Sequence, residues 1–213
     1  MNREHFNLNI RNEEFWNAVS HALGILLGIV GLSLLLAYHR ELTSYSLMSV
    51  LIYGVSIILL YTASTIYHFV KHVRWKEILR RLDHISIYFL IAGTYTPVAL
   101  ITLEKGAGWV LFWVVWGIAA LGTVLKIFFT GRFEVFSLGL YLFMGWLIVF
   151  DFNELMAGTT AMGRNLLMLG GAFYMLGIVF YVIRKIPYNH LIWHFFVLGG
   201  SISHFLFIFL DVI

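Results

Sequence analysis

The sequence predicts an all-α fold: an integral membrane bundle of seven transmembrane helices, with the N-terminus cytoplasmic and the C-terminus outside. Three observations predict it. Of 213 residues, 61% are hydrophobic and 12% are charged, with mean hydropathy +0.87. A soluble domain carries about 25% charged residues, so this chain has too few to coat a water-facing surface. Seven apolar stretches approach the ~20 residues that a helix needs to cross lipid while satisfying its own backbone. Lys and Arg then sort to one side of the resulting path. The apolar content excludes disorder. With no Cys, a disulfide framework or thiolate metal site is excluded, and a metal would need His, Asp or Glu. The net charge of +3 reads as topology, with no nucleic acid partner expected.

Residues 1–15 form a polar cytoplasmic tail carrying Arg3, Glu4, Arg11, Glu13 and Glu14, unlike a signal peptide. Residues 16–213 form a single membrane domain. The first helix, Trp16–Tyr38, begins at an interfacial Trp. The second is Tyr45–Val70. The third, Asp83–Leu103, follows a basic loop and is interrupted by Pro97, which frees a backbone carbonyl one turn earlier. Thr94 or Thr96 is placed to satisfy backbone there, and Pro97 reads either as a kink that opens a cavity toward the site or as a tolerated membrane proline. The fourth is Trp109–Phe129. The fifth, Phe136–Phe152, is the shortest. The sixth and seventh are Met162–Ile183 and His190–Leu210. Trp16, Tyr45, Trp109 and Tyr188 at helix ends read as interfacial anchors. Short connections make consecutive helices antiparallel neighbours.

Eleven basic residues fall on the N-terminal side of this topology: Arg3 and Arg11, then Lys71, Arg74, Lys76, Arg80 and Arg81, then Lys126, Arg132, Arg184 and Lys185. Arg40, Lys105 and Arg164 fall on the other. The excess places the N-terminus in the cytoplasm. Receptors coupled to G proteins and retinal proteins have the opposite orientation. A retinal protein also needs a Schiff-base Lys in its last helix, and His190–Leu210 has none.

Ionisable groups inside spanning helices are costly and mark functional sites. His5, His39 and His72 lie in the tail, at a helix end and in the basic loop. His68 near the end of helix two, Asp83 opening helix three, and His190 and His194 in the first turns of helix seven share one membrane level. His190 and His194 are spaced i, i+4, which puts both imidazoles on one face, able to chelate one ion. Position 191 is Leu, so the Glu base of a zincin is absent. Three imidazoles with an open fourth position form the pattern of a catalytic zinc site. Ser64 lies one turn before His68 on the same face. His21 sits in the first turns of helix one. His84 points about 100° away from Asp83. His204 lies about 15 Å along the axis from His194, which suits an interhelical hydrogen bond.

Ser64-x-x-x-His68, Arg81-Leu-Asp-His84 running into Ile91-Ala-Gly-Thr-Tyr-Thr-Pro97, and His190-x-x-x-His194 together resemble the hemolysin III family. That family belongs with the progestin and adipoQ receptors and, more distantly, with the alkaline ceramidases. Asn17-Ala-Val-Ser-His21 also fits. The short N-terminus resembles a bacterial member, in the cytoplasmic (inner) membrane. The resemblance implies Zn2+ held by His68, His190 and His194, with Asp83 contacting it through a water and Ser64 beside it. It implies membrane lipids as partners and a role in lipid homeostasis.

Three activities follow. The first is zinc-dependent hydrolysis of a lipid amide or ester, in which Asp83 handles the water proton and Ser64 stabilises the oxyanion, with the acyl chain in the seven-helix cavity. The second is a lipid sensor with structural zinc. The third is a pore-forming cytolysin, which the clustering of polar groups at one level disfavours.

Overall fold

Apolar length decides the architecture. The computed structural model describes residues 3–129 and 131–213, those from 3 to 11 by backbone alone. Seven helices in it are long and apolar enough to cross a membrane. They are α1 (Arg3–Tyr38, spanning from Asn12), α2 (Ser46–Phe69), α3 (Val73–Thr102), α4 (Gly108–Phe129), α5 (Glu134–Gly158), α6 (Ala161–Val182) and α7 (Asn189–Val212). No strand occurs among the described residues. His5, Arg3 and Arg11 have side chains outside the described set.

Three boundaries differ from the sequence expectation. α1 is already helical at Arg3, so the polar tail continues the first span. α3 starts at Val73, and most of the expected basic loop is its first turns. Arg74, Lys76, Glu77, Arg80 and Arg81 are good helix formers, but their charge hides them from an apolar count. Asp83 therefore lies about 15 Å into α3 instead of opening it. α5 runs to Gly158, with a 3₁₀ turn at Leu147–Asp151. Its polar end is held by Asp151, whose carboxylate accepts from the Ala107 N–H at 2.7 Å.

α1 packs against α2 and α7, α2 against α3, α3 against α4, and α6 against α7. Buried positions make up 61% of the apolar stretch of α3, 50% of α2 and 44% of α7, against 17% of α5 and 11% of α6. The three most enclosed helices are those that carry His68, Asp83, His190 and His194. Their core is built around Tyr53, Tyr61, Tyr88 and Phe207.

Pro97 ends regular α-helix, and Val98–Thr102 continues as a π turn. The Thr94 and Thr96 hydroxyls donate to the carbonyls of Leu90 and Ala92 at 2.7 and 2.8 Å. Trp116 of α4 donates to Thr96 Oγ1 at 3.2 Å. One turn earlier, Gly93 brings α3 onto α2: a Cβ there would collide with the Ser56 side chain. Small residues at such contacts let helices gain dispersion in lipid, where apolar burial alone gives no drive.

Gly93→Ala is expected to lower the stability of the detergent-purified protein by about 1–3 kcal/mol, read as a fall in Tm. Gly117 is the control, since a Cβ added there would meet no atom within 4 Å. Gly117→Ala should leave Tm unchanged or raised. Equal Tm for wild type and Gly93→Ala would contradict the close α2–α3 contact.

Candidate metal centre

Three imidazoles converge where α2 ends and α7 begins. His68 occupies the last turn of α2. His190 and His194 occupy the first two turns of α7, which starts after Pro187 and a left-handed Tyr188 with φ 55°. L-residues seldom adopt that conformation outside turns. Here it reverses the chain, and Asn189 fixes the turn by donating to the Phe180 carbonyl at 3.0 Å. The ring centroids are 5.0 Å apart for His68–His190 and His68–His194, and 4.6 Å for His190–His194. One ligand-capable nitrogen from each lies within 4.8 Å of the other two. This group could hold a metal ion.

Hydrogen bonds set which nitrogens face inward. His194 Nδ1 lies 3.2 Å from the Asn17 carbonyl oxygen and 3.0 Å from Ser20 Oγ. A carbonyl only accepts, so Nδ1 carries the proton and Nε2 keeps its lone pair. His68 Nδ1 donates to Glu14 Oε2 at 3.2 Å, and Glu14 is itself held by Lys76 Nζ at 2.5 Å. His68 Nε2 and His190 Nε2 are buried with no hydrogen-bond partner among the described residues. A histidine whose outer N–H is fixed by a carboxylate or carbonyl, with its other nitrogen buried and free, is the usual posture of a metal ligand. The donor set therefore fits a cation that favours imidazole.

Asp83 and Ser64 are both buried. The Ser64 hydroxyl sits beside the Asp83 carboxylate, and His68 is close enough to act on it electrostatically. His84 faces away, with Nδ1 3.5 Å from Glu134 Oε2, which also pairs with Lys126. His204 Nε2 donates to the Leu167 carbonyl of α6 at 3.2 Å, the interhelical bond its depth suggested.

α1 supplies what the sequence alone did not assign. Glu14, placed in the tail, reaches His68. Asn17 and Ser20 hold His194, and His21 stacks on the His194 ring at 3.5 Å and 13°. The signal was present as spacing, because positions 14, 17 and 21 lie on one helical face. Only the packing of α1 against α7 shows what that face meets.

Removing the outer carboxylate tests this support. Glu14→Gln is expected to weaken divalent-cation binding about 10–100-fold, measured by competition with a chelator of known affinity. Unchanged affinity would mean that His68 is oriented without Glu14.

The model of the family described as "Haemolysin-III related" matches residues 9–205. The chain is 45% identical over 194 residues to the "Hemolysin-3 homolog" of Bacillus subtilis (strain 168), covering 91% of each chain. It is 42% identical to the "Hemolysin-3" of Bacillus cereus, covering 91% of this chain and 89% of that one. It is also 32% identical to the human "Monocyte to macrophage differentiation factor", covering 89% of this chain and 80% of that one. The bacterial relatives and the seven apolar helices point to an integral protein of the bacterial inner membrane. The match over residues 9–205 and the identity to these bacterial relatives show that the chain belongs to the haemolysin-III-related family.

Proposed function

We propose that this protein is a zinc-dependent hydrolase that cleaves an amide or ester bond of a membrane lipid at the cytoplasmic level of the bilayer, and so acts in membrane lipid homeostasis. One observation carries the reading: three imidazoles, two of them oriented by hydrogen bonds from α1, converge beside a buried Asp83–Ser64 pair. Zinc suits imidazole donors, and structural zinc sites usually close with four protein ligands, often thiolates, whereas three ligands leave a position for chemistry. His68, His190 and His194 would hold the ion. Bound there, zinc supplies Lewis acidity and makes a water molecule acidic near neutral pH.

The chain's own residues do the rest. Asp83 takes a proton from the attacking water as the water oxygen bonds to the lipid carbonyl carbon. It then returns that proton to the leaving nitrogen or oxygen as the carbon–heteroatom bond breaks. The products are a fatty acid and an amine or alcohol, and the atoms balance with water as the only co-reactant. Ser64 donates to the carbonyl oxygen as negative charge develops on it. Glu14 holds the His68 imidazole in register, and Asn17 and Ser20 hold that of His194.

The same ligands join the end of α2 to the start of α7, which favours a second reading: a lipid sensor in which zinc is structural. The two readings separate on Asp83. Purified protein in defined lipid should turn over an amide- or ester-linked lipid. Asp83→Asn should keep its zinc and its Tm yet lose at least about 100-fold in rate. Equal turnover by wild type and His194→Ala would sink the hydrolase. Absent turnover in every preparation, with a steep fall in Tm on chelation, would leave the sensor.

A further inference from the structure

Two guanidiniums and two phenols gather on the cytoplasmic side of the metal centre. Arg80 of α3 lies three residues before Asp83, about 4.5 Å of helix rise toward the cytoplasm. Positions 76, 80 and 83 share one face of α3. Arg80 Nη2 reaches the turn before α5, 3.6 Å from the point where a Cβ on Gly131 would stand. Gly131 has a left-handed φ of 86°, which favours glycine, and its bare backbone leaves the guanidinium room. Tyr67 lies in the last turn of α2, with its ring 4.5 Å from Lys76 Nζ and edge-on to His68 at 4.6 Å. Tyr181 lies in the last turn of α6, its ring 6.2 Å from that of His190 and 5.5 Å from that of Trp193. Arg80 is close enough to act electrostatically on both hydroxyls, and Arg184 on that of Tyr181.

The neighbouring charges are matched. Lys76 pairs with Glu14 and Lys126 with Glu134, while Asp83 faces Ser64 and His68. Arg80 and Arg184 pair with no carboxylate among the described residues. Neither the Tyr67 nor the Tyr181 hydroxyl has a hydrogen-bond partner among them. Both arginines are exposed. Donors and positive charge therefore converge here from the ends of α2 and α6 and from one turn of α3.

That arrangement selects its ligand. One guanidinium fork already uses both oxygens of a carboxylate, whereas a phosphate can accept from several directions at once. The depth selects the source, because the group stands between the metal centre and the cytoplasm, in the headgroup layer. We propose that Arg80, Arg184, Tyr67 and Tyr181 bind the phosphate ester of a lipid headgroup in the cytoplasmic leaflet. This deepens the hydrolase reading, on which its consequence rests: the substrate is a phospholipid. Its phosphate and acyl linkage lie a few bonds apart, which matches the single helical turn between Arg80 and Asp83. The four residues then set headgroup specificity and position the substrate.

The test is binding, which needs no turnover. Purified, zinc-loaded protein in an uncharged detergent is titrated into a fluorescent phosphatidylglycerol, and anisotropy reports the affinity. Unlabelled phosphatidylglycerol should compete at least about tenfold better than diacylglycerol of the same chains, which lacks the phosphate, and than inorganic phosphate, which lacks the lipid. Arg80→Gln and Arg184→Gln are each expected to weaken binding about tenfold. Tyr181→Phe keeps the ring against His190 and Trp193 and should weaken it about 3–10-fold, the worth of one hydrogen bond. Arg81→Gln removes an equal charge about 100° around α3 and should leave the affinity unchanged. All four variants should retain zinc and Tm. Competition by diacylglycerol as strong as by phosphatidylglycerol, or equal losses in Arg81→Gln and Arg80→Gln, would overturn the proposal. Competition by inorganic phosphate as strong as by the phospholipid would overturn the lipid as its source. Specific binding by a protein that never hydrolyses a phospholipid would overturn the hydrolase alone. Lipid hydrolysis at a rate unmoved by Arg80→Gln and Arg184→Gln would overturn the phosphate site alone.

Discussion

An imidazole can give a metal only the nitrogen that carries no proton, and something else must hold the proton on the other. In this protein α1 does so. The Asn17 carbonyl fixes the proton on His194 Nδ1, and Glu14 accepts the hydrogen bond from His68 Nδ1. Without these bonds the His68 and His194 rings could present either nitrogen. Much of the surrounding architecture serves this restraint. The part of α1 that precedes Trp16 carries Glu14, and the early start of α3 brings Lys76 to it at 2.5 Å.

Packing in lipid explains where this arrangement can form. Apolar side chains gain little by leaving hydrocarbon for protein, so helices associate through close contact and internal hydrogen bonds. Close glycine contacts join α1 to α2, α2 to α3, α3 to α4 and α6 to α7. Gly24 admits the Tyr61 ring, and Gly93 admits Ser56. α2, α3 and α7 are thereby enclosed, while α5 and α6 remain at the lipid boundary. The enclosed helices are also those in which an ionisable side chain can be shielded by partners, and the His68, Asp83, His190 and His194 positions follow from that.

The sequence made the spanning helices legible because apolar length is a strong signal, and it made the His190–His194 pair legible because helical spacing fixes a shared face. It placed the start of α3 ten residues late, since Arg74, Lys76, Arg80 and Arg81 favour helix yet resemble a loop in a hydropathy profile. Glu14 and His21 were visible as residues but not as participants. Their roles depend on the rotation of α1 against α2 and α7, which is set by glycine contacts distant in sequence. Asp83 was legible as a costly buried acid, but its depth depended on where α3 begins.

The central claim is that three imidazoles, two of them oriented from α1, hold one zinc ion. Elemental analysis of the purified protein beside His68→Ala, His190→Ala and His194→Ala tests it most directly. The account predicts one zinc per wild-type chain and loss of that zinc in each of the three variants. Zinc content unchanged across all three would contradict it.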